Sequence, residues 1–91
     1  MIRTTGQQTR AVLIDRFGGP EVLRVAEVEV GDPGSGEIRV RHAACGLNFI
    51  DVYHRSGAYP LPLPHALGME AAGVVEAVGA GVDHLAEGDR V

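Results

Sequence analysis

Ala44-Cys45-Gly46-Leu47-Asn48-Phe49-Ile50-Asp51-Val52-Tyr53-His54-Arg55-Ser56-Gly57 is the stretch on which the fold turns. Its first residues close a strand and its middle opens a helix. Asn48 is a good N-cap, because a short polar side chain can answer the N–H groups that a first helical turn leaves unpaired. Asp51 places negative charge at the positive end of the helix. The helix is predicted to be short: Gly57 suits its end, and Pro60, Pro62 and Pro64 cannot continue it. Each residue before a proline is pushed out of the helical region, so this Pro-rich segment reads as an extended loop.

Upstream, the periodicity is that of strands. Ala11-Val12-Leu13-Ile14 is a short apolar run, and Phe17-Gly18-Gly19-Pro20 breaks it with a turn. From Val22 to Val30 the apolar Ala26, Val28 and Val30 alternate with Glu27 and Glu29, the period of two of a sheet with one wet face. Gly31-Asp32-Pro33-Gly34-Ser35-Gly36 is dense turn chemistry. A third strand is predicted from Glu37 to Ala43, with Ile38 and Val40 inward and Arg39 and Arg41 outward. Short turns and no helix between these three strands predict antiparallel pairing and exclude a βαβ unit.

Downstream of the Pro-rich loop, Ala71 to Val78 reads as a strand buried on both faces. Gly79-Ala80-Gly81 turns the chain, and Gly88-Asp89-Arg90-Val91 begins a further strand. An end on an apolar strand leaves a raw sheet edge, which predicts truncation. Residues 1–9 read as a disordered leader and residues 10–91 as one small domain.

Composition agrees with a β-rich domain. Hydrophobic residues make up 45% of the 91 and aromatic residues only 4%, so the core is built from Val, Ile, Leu and Ala. Thirteen glycines and five prolines suit many turns. The net charge of −4 comes from scattered acidic residues, and the eight basic residues, all Arg, are spread along the chain. Without a basic stripe, nucleic acid and anionic membrane are excluded as partners. No stretch approaches the roughly 18 apolar residues of a bilayer span. The first ten residues lack the apolar region of a secretory signal. One cysteine cannot make an internal disulfide. A cytoplasmic protein is expected.

Most motifs of catalysis fail. Gly79-Ala80-Gly81-Val82-Asp83-His84 begins like a dinucleotide fingerprint, but His84 stands in place of the third glycine, and the segment follows a strand without opening an apolar helix. It reads as a hairpin turn. His42, His54, His65 and His84 show no metal-binding spacing, and Cys45 reads as a small buried side chain.

The Ala44–Gly57 stretch, Gly68-Met69-Glu70-Ala71-Ala72-Gly73-Val74-Val75, Gly18-Gly19-Pro20-Glu21-Val22-Leu23 and Gly88-Asp89-Arg90-Val91 occur in order and at a spacing that resembles the quinone oxidoreductase branch of the medium-chain dehydrogenase/reductase superfamily. The resemblance runs from about Arg10 to Val91. It implies a mainly β fold, a GroES-like, partly open β-barrel with one short helix and a Pro-rich loop, incomplete at its C-terminus. It also implies NADPH as cofactor, a quinone or similar electrophilic small molecule as acceptor, and a homodimeric parent whose dinucleotide-binding domain lies outside these residues.

Set against the zinc dehydrogenases of that superfamily, Asn48 stands in place of a Cys ligand and Met69 in place of a His ligand. An amide and a thioether are not competent Zn²⁺ ligands, and Cys45, three positions early, does not restore the site. No metal is expected. The resemblance assigns Asn48 and Tyr53 to catalysis and Phe49, Ile50, Asp51, Val52 and Tyr53 to the cofactor. For Phe49 and Ile50 the alternative is plain core, for Asn48 an N-cap, and for Asp51 a favourable charge at the helix dipole. Glu70 is left without a role. Two other functions are open: an enoyl reductase of the same superfamily, and a non-catalytic β module acting in assembly.

Overall fold

The structure is a computed structural model, which describes residues 7–91. The elements in chain order are β1 (Gln7–Ile14), a 3₁₀ turn (Pro20–Val22), β2 (Arg24–Val30), β3 (Ile38–Gly46), α1 (Phe49–Ser56), β4 (His65–Ala66) and β5 (Glu70–Val78). They form one sheet of order β2-β1-β4 and a second of order β3-β5. The fold is mainly β with one short helix, as the sequence predicts. Gln7, Gln8 and Thr9, expected in a disordered leader, belong to β1; the rest of that leader lies outside the described residues.

The described residues divide into two compact units. One comprises Gln8–Val28 and Gly46–Glu70. Its core holds Ile14, at zero exposure, and Val22. Strand β4 pairs antiparallel with β1, with Leu13 opposite Ala66 and Ile14 opposite His65. The Leu67 N–H donates to the Val12 carbonyl at 3.0 Å and extends this pairing. The Pro-rich loop thus ends by adding a strand, which its composition conceals. Helix α1 is tied at its far end to the Gly18 turn: the Gly18 N–H donates to the Arg55 carbonyl at 3.0 Å, and Arg55 Nε to the Gly18 carbonyl at 3.1 Å.

The other unit comprises Gln7, Glu29–Cys45 and Ala71–Val91 among the described residues. Here β3 pairs with β5. Strands β1 and β2 are neighbours as expected, but the third strand does not join them: β3 finds its partner beyond the helix and the loop, because pairing follows the buried face and not chain order. Gly73 and Val75 are the buried positions of β5, and Val74 between them is exposed. This strand therefore alternates and is not buried on both faces. Val74 makes an antiparallel bridge with Arg90, so Gly88–Val91 does begin a strand pairing. Arg39, expected outward, is largely covered. Its guanidinium reaches Glu76 at 3.0 Å and Asp32 at 3.3 Å, and Arg41 also pairs with Glu76. An arginine can lie along a sheet face when a carboxylate meets its head.

Candidate active site

Helix α1 and its approach carry the predicted site residues. It forms where the sequence places it. Asn48 is the N-cap, and Asn48 and Asp51 make a capping box. Asp51 Oδ2 accepts from the Asn48 backbone N–H at 3.1 Å, and the Asp51 N–H donates to the Asn48 carbonyl at 2.9 Å. Gly57 closes the helix at φ 92°, a left-handed conformation that glycine adopts without penalty, and its N–H donates to the Tyr53 carbonyl at 3.1 Å. A Cβ at Gly57 would also press on the Phe17 ring at 2.9 Å.

The helix and other residues of the same compact unit present apolar and aromatic side chains to solvent. Leu47 is 94% exposed, Phe49 70% and Met69 65%. Phe49 is therefore not core. Its ring meets Tyr53 edge-on with centroids 5.4 Å apart, and Tyr53 meets Tyr59 in the same manner at 5.1 Å. Ile50, Asp51 and Val52 are half-buried. Among the described residues no hydrogen bond or ring contact joins Tyr53 to Asn48, so the two residues assigned to catalysis do not meet.

Asn48 has a partner that the sequence did not assign. Its Nδ2 donates to Glu70 Oε1 at 2.6 Å. Gly46 leaves the room: a Cβ there would overlap the Glu70 carboxylate. A glycine at a strand end, with no turn to explain it, is the one signal in the sequence. Asp51 Oδ1 is buried and has no hydrogen-bond partner. Cys45, expected buried, is exposed, with Sγ 3.6 Å from His42 Nδ1.

The donor set does not suit Zn²⁺. The Asn48 amide nitrogen offers no lone pair and is engaged with Glu70, and the Met69 thioether is a poor ligand for this ion. No three His, Cys, Asp or Glu side chains converge to hold a metal among the described residues. The exposed rings of Phe49 and Tyr53, with the amide and carboxylate of Asn48 and Glu70 in the same compact unit, suit a planar, mostly apolar group with a few polar atoms. No helix among the described residues is long and apolar enough to cross a membrane.

Comparison with known proteins gives a consistent picture. Residues 34–91 match the family model of the alcohol dehydrogenase GroES-like domain. The chain is 56% identical over 77 residues to quinone oxidoreductase 1 of Escherichia coli (strain K12), covering 84% of this chain and 24% of that protein. It is 48% identical over 86 residues to the 2-haloacrylate reductase of a Burkholderia species, covering 89% of this chain and 26% of that protein. The crystal structure of Escherichia coli quinone oxidoreductase complexed with NADPH superposes with a TM-score of 0.87 at 51% identity, covering 90% of this chain and 26% of that one. The chain spans about a quarter of the length of the curated relatives it matches. With more than half of its residues matched by the family model, the chain belongs to the alcohol dehydrogenase GroES-like domain family, within the medium-chain dehydrogenase/reductase superfamily.

Proposed function

We propose that the whole protein carrying this chain is an NADPH-dependent quinone oxidoreductase that works without zinc. Residues 10–91 are its substrate-side domain, and the dinucleotide-binding region lies outside these 91 residues. The observation that carries this reading is the hydrogen bond from Asn48 Nδ2 to Glu70 Oε1, which commits to an amide donor the position where a zinc enzyme needs a metal-binding lone pair. The likeness to a curated quinone oxidoreductase at 56% identity, and to one solved with NADPH at 51%, supports the substrate class and the cofactor.

NADPH, when bound, supplies the hydride. On this side of the site Phe49, Ile50, Asp51, Val52 and Tyr53 hold it. The exposed edges of Phe49 and Tyr53 provide apolar surface for a flat ring and exclude water from it, while Ile50 and Val52 anchor the helix beneath. Asn48 supplies polar contacts. A quinone accepts hydride without a Lewis acid, so positioning and exclusion of water carry much of the rate. The protein acts in the cytoplasm, as a homodimer, without nucleic acid or membrane as partner.

The test is NADPH oxidation by the whole protein with 1,4-benzoquinone. Turnover is expected to persist after exhaustive chelation, and Asn48→Ala to lower kcat/KM about tenfold or more. Complete loss of turnover on chelation, with recovery on adding Zn²⁺, overturns the zinc-free reading. A second reading, reduction of an electron-poor carbon–carbon double bond, draws on the likeness to 2-haloacrylate reductase. It is preferred if 2-enoyl substrates give a higher kcat/KM than quinones.

A further inference from the structure

Glu70 enters the reading above only as the acceptor of the Asn48 amide and Gly46 not at all, yet the geometry ties both to Asn48. A carboxylate oxygen only accepts, so the contact of Glu70 Oε1 with Asn48 turns the NH₂ of the amide toward Glu70 and its Oδ1 away. An amide that is free has two orientations of nearly equal shape; this contact removes the choice. At 2.6 Å the bond is as short as those made to charged groups. The backbone nitrogen of Asn48 is held as well, by Asp51 Oδ2. Both nitrogens of Asn48 are therefore engaged with carboxylates.

Gly46 makes this possible. Its backbone is not among the positive-φ positions of the chain, so conformation does not require glycine there. Space does: a Cβ would lie 2.8 Å from Glu70 Oε2 and closer still to the rest of the carboxylate. The obstructed group is the far end of a flexible side chain, so an alanine at this position displaces Glu70 and spares the fold.

We infer that Glu70, seated over Gly46, is a positioning residue that locks Asn48 with one lone pair of Oδ1 open beside its capping-box contact with the Asp51 N–H, so that the ligand group meeting Asn48 is a hydrogen-bond donor of the carboxamide N–H class. A simple quinone offers only acceptor oxygens, whereas the nicotinamide carboxamide offers N–H donors. Donation to a carboxylate also enriches Oδ1 in negative charge, which strengthens it as an acceptor and weakens the remaining N–H as a donor. The charges of Glu70 and Asp51 act in the same sense, against a partly negative quinone oxygen at this point. Asn48 thus reads the cofactor and not the quinone. The ligand half of this inference rests on the function proposed above; the positioning half stands on the contact itself.

The experiment compares the whole wild-type protein with Glu70→Ala, Glu70→Gln and Gly46→Ala. In asparagine-selective ¹⁵N spectra the Asn48 side-chain amide, assigned by its loss in Asn48→Asp, is expected to show one proton shifted downfield, and to lose that shift in Glu70→Ala and Gly46→Ala. The Kd for NADPH, read from the fluorescence of the bound cofactor without quinone, is expected to rise about three- to tenfold in both variants, the range of one hydrogen bond. The KM for benzoquinone is expected to stay within about twofold. Glu70→Gln keeps an acceptor oxygen and is expected to recover most of the affinity. The reduced 3-acetylpyridine analogue, which lacks the carboxamide N–H, is expected to bind wild type and Glu70→Ala alike. An Asn48 amide resonance unchanged in Glu70→Ala overturns the lock whatever the cofactor. A lost resonance shift with an unchanged NADPH Kd, or a quinone KM that rises in its place, overturns the donor-ligand assignment. If the wild-type protein neither binds NADPH nor reduces quinones, the proposed function fails and takes the ligand assignment with it, and the resonance alone decides the lock.

Discussion

Glu70 and Glu76 stand on the same strand, in different compact units, and their carboxylates are used in opposite ways. Glu76 is met by Arg39 at 3.0 Å and by Arg41, and the side chains of Arg39 and Glu76 are only 18% and 16% exposed. Its charge is spent within the protein, on holding β5 against β3. Glu70 is exposed and meets a neutral amide, and no arginine pairs with it among the described residues. Its charge remains available to polarise Asn48. What divides the two carboxylates is whether a guanidinium arrives. One unit closes its polar groups on each other, and the other presents unspent polarity beside exposed rings.

Substitutions can break that contrast, and the largest effect belongs to the closed unit. A Cβ at Gly79 would collide with the Gly34 carbonyl, and one at Gly73 with the Arg41 carbonyl. These obstacles are backbone and cannot swing aside. Gly79→Ala or Gly73→Ala is expected to cost roughly 2–4 kcal/mol in denaturant unfolding of the whole protein. Gly46→Ala, whose obstacle is a flexible carboxylate, is expected to cost less than about 1 kcal/mol while altering Asn48. Equal costs would remove the distinction between the units.

Next comes the carboxylate pair. Glu76→Ala leaves a largely covered Arg39 short of its main partner and is expected to destabilise by about 2 kcal/mol, between exposed and buried pairs. Glu70→Ala is expected to cost less than about 0.5 kcal/mol, as an exposed position does. If Glu70→Ala destabilises as much as Glu76→Ala, Glu70 is a structural residue and the comparison fails.

The smallest effect is a dependence on acid. Asp15 accepts from Arg24 Nε at 2.6 Å, and this hydrogen bond, with the attraction of the guanidinium, holds its carboxyl below the usual range. A carboxyl depressed in the folded state adds stability that is fully present above its unfolded value and fades as pH falls through its folded value. Glu21 is lowered in the same direction by the backbone N–H groups of Glu21 and Gly19. Asp15→Asn is expected to lower stability slightly near neutral pH and to leave it unchanged in acid below the folded value, so that the acid side of the stability curve is slightly flatter. A slope identical to wild type would show that the exposed pair contributes nothing.

Much of this was legible in the chain. Asn48, Asp51 and Gly57 announce α1 because helix ends are chemical: orphan N–H groups need a cap, and a left-handed residue needs glycine. The alternation of Ala26, Val28 and Val30 announces β2, because pleating has a period of two. Strand β4 was hidden, since two residues carry no period and owe their geometry to β1. Arg39 was misread because charge predicts exposure only when no carboxylate waits on the same face. Cys45 was misread because a small side chain near a strand end is buried only if another layer covers it.

Sequence alone determined most of the local elements and the family resemblance, since both depend on residue type and spacing along the chain. Tertiary structure decided that β3 pairs with β5, that Glu76 answers two arginines, and that Glu70 settles over Gly46 to hold Asn48. Those contacts join residues 22 or more positions apart, and no rule of spacing specifies which distant side chains will meet. Only the closure of the chain in space does that, through the faces it buries and the room its glycines leave.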